Sequence, residues 1–358
     1  MRTPDAGFSL VESLVSLVLM LAVTGAVFGL LNPNTQISQG QPEAMDMQQR
    51  ARVASDVLAR DLFMAGAGLY AGPQAGALTN YFAPVIPRKM GFQNADAYTV
   101  VRPDAITIQY VPNTYSQTTI RDPMPQPSSE LKVEDMPNCP QGEELCGFKE
   151  GMTLLIFDDL GHFDFFTVTN VQNAAGHLQH IQQDLSFSYQ PGAYVAQADT
   201  HTYYLDAANR QLRHYDGYLT DVPVVENVVG LTFTYFGDPN PPRAPKPPVG
   251  VANCLYDTAG NLLAGLQTLT AQGGSLAELP LASLADGPWC GNGNNRFDAD
   301  LLRVKKIRID IRVEAGDDAL RGTGSEFVRS GFSKSALRTL PDFSVRFDVT
   351  PRNMNLGR

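Results

Sequence analysis

The sequence predicts an α+β protein: a long N-terminal helix, apolar in its first half and amphipathic in its second, packed on an antiparallel β-sheet head with long loop insertions. Three observations carry that expectation. The run from Phe8 to Leu31 is apolar and contains one ionisable residue, Glu12. Small and apolar side chains then recur at three- and four-residue steps through Ala44, Met47, Ala51, Ala54, Leu58, Leu62 and Ala65. From about residue 100 the period changes to two, that of a half-buried strand.

The apolar run, about 24 residues, makes roughly 36 Å of helix at 1.5 Å per residue, enough for a hydrocarbon core of roughly 30 Å. A secretory signal peptide and an unprocessed anchor would both look like this, with Thr24-Gly25-Ala26 as a poor cleavage site for the former. Neither explains Glu12, because an ionised carboxylate in lipid costs at least a few kcal/mol. Cleavage between Gly7 and Phe8 would explain it. The new amino group of Phe8 would lie four residues from Glu12, and in a bundle of parallel helices one chain's carboxylate would pair with its neighbour's ammonium.

Asn32-Pro33-Asn34 and Gly40-Gln41-Pro42 predict a kink or melted stretch after the apolar helix, since proline removes a helical hydrogen bond and clashes with the preceding turn. The amphipathic helix then runs from about Glu43 to Ala65. Asp46, Gln49, Arg50, Arg52, Asp56 and Arg60 fall mostly between its apolar positions, and Gly66-Ala67-Gly68 ends it.

Strands are expected at 105–111, 152–157, 163–171, around 202–205, 211–215, 231–236, 302–313 and 343–349. The alternation is cleanest in Ile307, Ile309, Ile311 and Val313 against Arg308, Asp310 and Arg312. Residues 113–150, with five prolines among acidic residues, read as a surface excursion. The segment 238–248 (DPNPPRAPKPP) reads as polyproline-like backbone. Residues 251–300 read as an insertion with a helix from Asn261 toward Leu284.

The net charge of −10 excludes a nucleic-acid surface, which needs clustered Lys and Arg. Four cysteines lack the spacing of a structural zinc site. Outside the cytoplasm they would form disulfides, and three pairings are open. Cys139–Cys146, closing a short loop, and Cys254–Cys290, pinning the insertion, are the favoured two, with buried thiols the alternative.

No nucleophile elbow, phosphate-cradling loop or His-Glu-x-x-His helix occurs, so no enzyme and no cofactor are expected. His177 and His180, three apart, could share a metal on a helical turn, but no third ligand lies at close spacing, and surface or strand-pairing histidines are the ordinary alternative. Asn292, Asn294, Asp298 and Asp300, on a Gly-bearing turn with Asn295, offer oxygens to Ca²⁺ without the spacing of an EF-hand, against a network of Asx turns.

Gly7, Phe8 and Glu12 ahead of a spanning apolar helix resemble the type IV prepilin signature shared by pilins and type II secretion pseudopilins. Val224–Tyr235 (VVENVVGLTFTY) is similar to a segment of PilW-type minor pilins and of the related pseudopilin GspJ, while Leu302–Ile309 with the ending Thr350–Asn355 resembles the PilW-type C-terminal half and Gln49–Gly68 (QRARVASDVLARDLFMAGAG) fits the same group. The leader departs from the family pattern, since Arg2 is offset by Asp5.

The resemblance implies a leader (1–7), a transmembrane and filament-core helix (8–31), an amphipathic helix (32–68) and a periplasmic β-rich head (69–358) with insertions near 113–150 and 238–300. It implies cleavage after Gly7 and methylation of Phe8 by a prepilin peptidase, with Glu12 setting register. The implied partners are that peptidase, other minor pilins, the major pilin, an inner-membrane assembly platform and, before assembly, membrane lipid. The implied location is a bacterial inner membrane, N-terminus cytoplasmic, and then a pilus. A type II secretion pseudopilin and a tip adhesin that binds ligand through the insertions are the alternative roles.

Overall fold

The apolar stripe read from Ala44 to Ala65 is helical as far as Met64 and buried from Met47 on, with Ala44 half-buried. The computed structural model describes residues 9–68, 83–97, 99–112, 116–126, 130–136, 139–160, 162–180, 185, 187–244, 246–263, 276–285, 299–333 and 339–355. Helix α1 (Leu10–Met64) is one unbroken element of 55 residues. The melted stretch expected at Pro33 and Pro42 does not occur. Proline's fixed φ of about −65° is itself helical, so each proline removes a single backbone bond while the turns on either side remain bonded.

Met47, Ala51, Ala54, Leu58, Leu62 and Ala65 are all buried. Gly66, at φ 70°, stops the helix in the left-handed region. Its N–H donates to Gln109 O (3.0 Å), and Val111 N–H donates to Ala67 O (3.0 Å). A Cβ at Gly68 would lie 2.4 Å from Val111 O, so only glycine permits this approach.

The chain divides into two compact units, residues 1–50 with 313–343, and 51–312 with 344–358. In the first, Glu43 on α1 accepts from Gly316 N–H (2.6 Å) and from Arg50 (3.3 Å). Glu314 is buried there between Arg321 and Arg329, the latter at 2.9 Å.

The second unit holds three antiparallel arrangements. In a five-stranded sheet, β1 (Val85–Ile86) and β2 (Ala105–Tyr110) lie beside β9 (Asp199–Asp206), β10 (Gln211–Tyr215) and β11 (Asp221–Glu226), in that spatial order. A four-stranded sheet has the order β13 (Ala277–Leu279), β12 (Val228–Gly237), β14 (Val304–Val313), β15 (Phe343–Val349). The step from β11 to β12 is made by one residue, Asn227, at φ 57°, a left-handed conformation that asparagine tolerates. Asp221 fixes the outer strand β11 by accepting from Lys89 (3.0 Å), Tyr204 (2.6 Å) and Arg213 (2.9 Å).

The third sheet corrects the reading of 113–150. Strands β3 (Gln117–Thr119) and β4 (Glu130–Lys132) close its two edges in the order β3-β8-β5-β6-β7-β4, where β5 is Thr153–Phe157, β6 Phe163–Gln172, β7 His177–His180 and β8 Tyr194–Gln197. Ile120, Met124, Leu131, Val133, Leu145 and Phe148 are buried in one core with Leu154, Phe166 and Val195. Three-residue strands are too short to display a period, so the prolines dominated the sequence pattern. Cys139 and Cys146 are disulfide-bonded, their Cα atoms 5.7 Å apart. A helix from Asn261 toward Leu284 is not formed as expected: 261–263 are non-helical, β13 pairs Leu279 with Tyr235, and only α2 (Leu281–Ala285) is helical among the described residues there.

Leu58→Ala should lower stability by about 2–5 kcal/mol through the cavity it leaves, and Val53→Ala, at an exposed site, by less than about 0.5 kcal/mol, read from denaturant midpoints of the full chain in detergent. On the four-stranded sheet, Arg308 and Lys306 hold the Asp348 carboxyl down to about 2 against some desolvation. A carboxylate whose folded pKa is depressed stabilises above its unfolded value of about 3.9 and loses that contribution as pH falls through about 2. Arg308→Ala should therefore move the Asp348 titration, followed by carboxyl NMR, back toward about 4.

Candidate functional site: an exposed apolar helix and a His-Asp cluster

Ser9 precedes the first helical residue, and its Oγ accepts from the Glu12 N–H (3.2 Å), as a helix N-cap does. With Glu12 three positions on, Ser-Leu-Val-Glu is the sequence of a capping box. Ser16 Oγ donates to the Glu12 carbonyl (2.8 Å), so this hydroxyl is satisfied within the helix and can face an apolar medium. No ion pair to the Glu12 carboxylate occurs among the described residues.

From Leu10 to Phe28, 19 residues form a segment long and apolar enough to cross a membrane, and none of it is buried. Leu10 is 81% exposed and Phe28 68%. Water is a poor solvent for so much contiguous apolar surface, which fits a membrane span, a helix-packing surface or a signal sequence near the N-terminus. The core helix of a soluble protein would bury it.

The remaining predicted residues fall as follows. Gly7, Phe8, Cys290, Asn292, Asn294 and Asp298 lie outside the described residues. Cys254 is disulfide-bonded. Asp300 is buried and paired with Arg303 (3.2 Å), within a 3-10 turn at Ala299–Arg303. His177 and His180 are on strand β7, not on a helical turn. Three residues apart on a strand they take opposite faces, His177 facing Glu130 (3.6 Å) and His180 buried, so they do not converge on a metal.

One cluster escaped sequence reasoning. Antiparallel register sets Ile108 opposite His201, Ile106 opposite Tyr203, and Tyr203 opposite His214, so these side chains share one face of the five-stranded sheet. Helix α1 brings Asp61 to that face. Tyr203 Oη donates to Asp61 Oδ2 (2.5 Å), His201 Nδ1 lies 3.6 Å from Asp61 Oδ2, and His201 Nδ1 and His214 Nε2 are 2.7 Å apart.

Burial, and then the neighbouring His201, push His214 below the usual histidine pKa. Burial, and then Asp199, push the Tyr110 hydroxyl up to about 12, and burial and the bond to Asp61 push Tyr203 up. The tyrosines are therefore neutral hydroxyls at any ordinary pH. A signal existed in the sequence: Asp61 sits three residues after Leu58 and four before Ala65, on the edge of the buried stripe, where an acid needs a partner.

No protein-family model, curated protein or solved structure matches this chain. The α+β architecture, the antiparallel sheets and the exposed apolar helix therefore stand on their own geometry.

Tyr203→Phe should lower stability by about 1.5–3 kcal/mol, because it removes a hydrogen bond to a half-buried carboxylate. Denaturant unfolding of the full chain measures it, and a loss under 0.5 kcal/mol would mean that Asp61 is served by other groups.

Proposed function

We propose that this chain is a minor pilin, which primes or caps a type IV pilus after prepilin peptidase removes the leader and methylates Phe8. The observation that carries the reading is the division of one continuous helix, whose first 19 residues are apolar and exposed while the stripe from Met47 to Ala65 is buried. Such a helix needs lipid before assembly and other helices after it. The place of Glu12 in the first turn supports the same reading, because it lies four residues from the chain end that cleavage would create.

In this mechanism the exposed segment anchors the chain in the inner membrane. It then leaves lipid to pack against the corresponding segments of other minor pilins and of the major pilin on the assembly platform. Glu12 neutralises the Phe8 ammonium of a neighbour, and register follows because a buried carboxylate tolerates few positions without a cation. The head stays outside the membrane, where its disulfides form.

The experiment is the N-terminal mass of the mature chain from cells with and without prepilin peptidase, together with Glu12→Ala. The expected result is a methylated Phe8 terminus that disappears without the peptidase, and a Glu12→Ala chain that is cleaved yet incorporated into filaments at a tenth of the normal level or less. An intact leader, or a start after the apolar run, would overturn the reading. Normal incorporation of Glu12→Ala would remove its role in register.

A further inference from the structure

We infer that Asp61, His201 and His214 form a binding site for a divalent transition metal, of which Zn²⁺ is the best-fitting common ion. It would clip helix α1 to the five-stranded sheet. Each residue offers one ligand atom, and these atoms all lie within 4.8 Å of one another.

The contacts around the cluster accommodate the tautomer that a ligand needs. The Asp199 carboxyl lies beside Tyr110 Oη, and with the hydroxyl proton turned to Asp199 the tyrosine is the donor of that pair. Its oxygen is then the acceptor for His201 Nε2, 3.1 Å away. A proton on Nε2 leaves the His201 Nδ1 lone pair bare and aimed at the cluster. Metal-ligating histidines are oriented in this way, by a partner on the nitrogen that does not bind.

His201 Nδ1 being an acceptor, His214 Nε2 supplies the proton between the two rings, which are 2.7 Å apart at these atoms. A metal would replace that proton: His214 Nε2 releases it to solvent and both nitrogens turn their lone pairs to the ion.

Two of the three ligand–ligand edges are near those the exchange needs, and the third lies within 4.8 Å. Arms of about 2.0–2.1 Å in a tetrahedron put ligand atoms about 3.3–3.4 Å apart. The two nitrogens must separate by about 0.6 Å, while Asp61 Oδ2, at 3.6 Å from His201 Nδ1, is already close to the required edge. Two imidazoles and one carboxylate suit zinc, not the hard ions that prefer all-oxygen shells. Asp61 and His201 keep 18% and 23% of their side-chain surface, so solvent reaches the cluster and a water can fill the fourth position. The three ligands come from α1, β9 and β10, so the ion would join the helix to two neighbouring strands. This inference is independent of the filament reading.

The test uses the full chain in detergent, stripped with a chelator and dialysed. Titration with Zn²⁺ should give one ion per chain by elemental analysis and a rise in Tm of about 5 °C at a hundredfold excess over Kd. Co²⁺ in its place should give the intense visible absorption of a tetrahedral site. His214→Gln should abolish stoichiometric binding. Tyr110→Phe keeps all three ligands and should weaken affinity by roughly tenfold or more through lost orientation of His201. Absence of stoichiometric Zn²⁺, a weak octahedral Co²⁺ spectrum, or undiminished binding by His214→Gln would overturn the site. Should His214→Gln fail to fold, the Co²⁺ spectrum of the unmodified chain and the affinity of Tyr110→Phe decide in the same sense.

Discussion

Helix α1 carries an exposed apolar segment in its first half and a buried apolar stripe in its second, and the packing of that second half organises much of the fold. Its stripe from Ala51 to Ala65 disappears against the protein, with Leu58 and Leu62 fully buried. Each such leucine contributes about 2 kcal/mol by burial alone, so the two together rival any single polar contact in the molecule. The left-handed turn at Gly66 and its backbone bonds to β2 then fix where the helix ends. Because the docked half is held from both its side and its end, the apolar half is presented as helix. An isolated peptide would leave that to propensity, which is marginal in water even for favourable sequences.

The elements legible in the sequence were those with a repeated period. The buried stripe of α1 was read residue by residue, and long alternating strands such as β12 and β14 were placed within a few residues. The elements that escaped are short. β3, β4 and β13 have three residues each, less than two periods of alternation, and their neighbours are rich in proline and acid. Proline misled in the helix as well, because the rule that it breaks helices weighs one lost bond without the intact turns around it.

The His-Asp cluster was illegible for a different reason. Asp61 and His214 are 153 positions apart, from 214 − 61, and meet only because register places His201, Tyr203 and His214 on one face. Spacing rules find ligands close in sequence and are blind to those supplied by strand pairing. The Val-Glu-Asn-Val stretch shows the complementary case. It was noticed as a resemblance, and its physical content is one asparagine at positive φ that takes the chain from one sheet to the next.

Glu12 can be weighed by magnitude. Its place in the first turn lets the helix dipole stabilise a carboxylate by about 0.3–1 kcal/mol, and the Ser9 cap satisfies the Glu12 amide without touching the carboxylate. Burying that charge in an apolar medium costs roughly 2.5–3.5 kcal/mol at the centre of a membrane-spanning helix, less near its end. In a lone chain in lipid the end position and the dipole narrow the gap, since the carboxylate sits one turn from the headgroups. Inside a bundle of helices the headgroups are gone and the full difference returns. Under the proposed assembly the neighbouring ammonium closes that difference, so the same residue is tolerable before assembly and demanding after it, which is the property a register-setting charge needs.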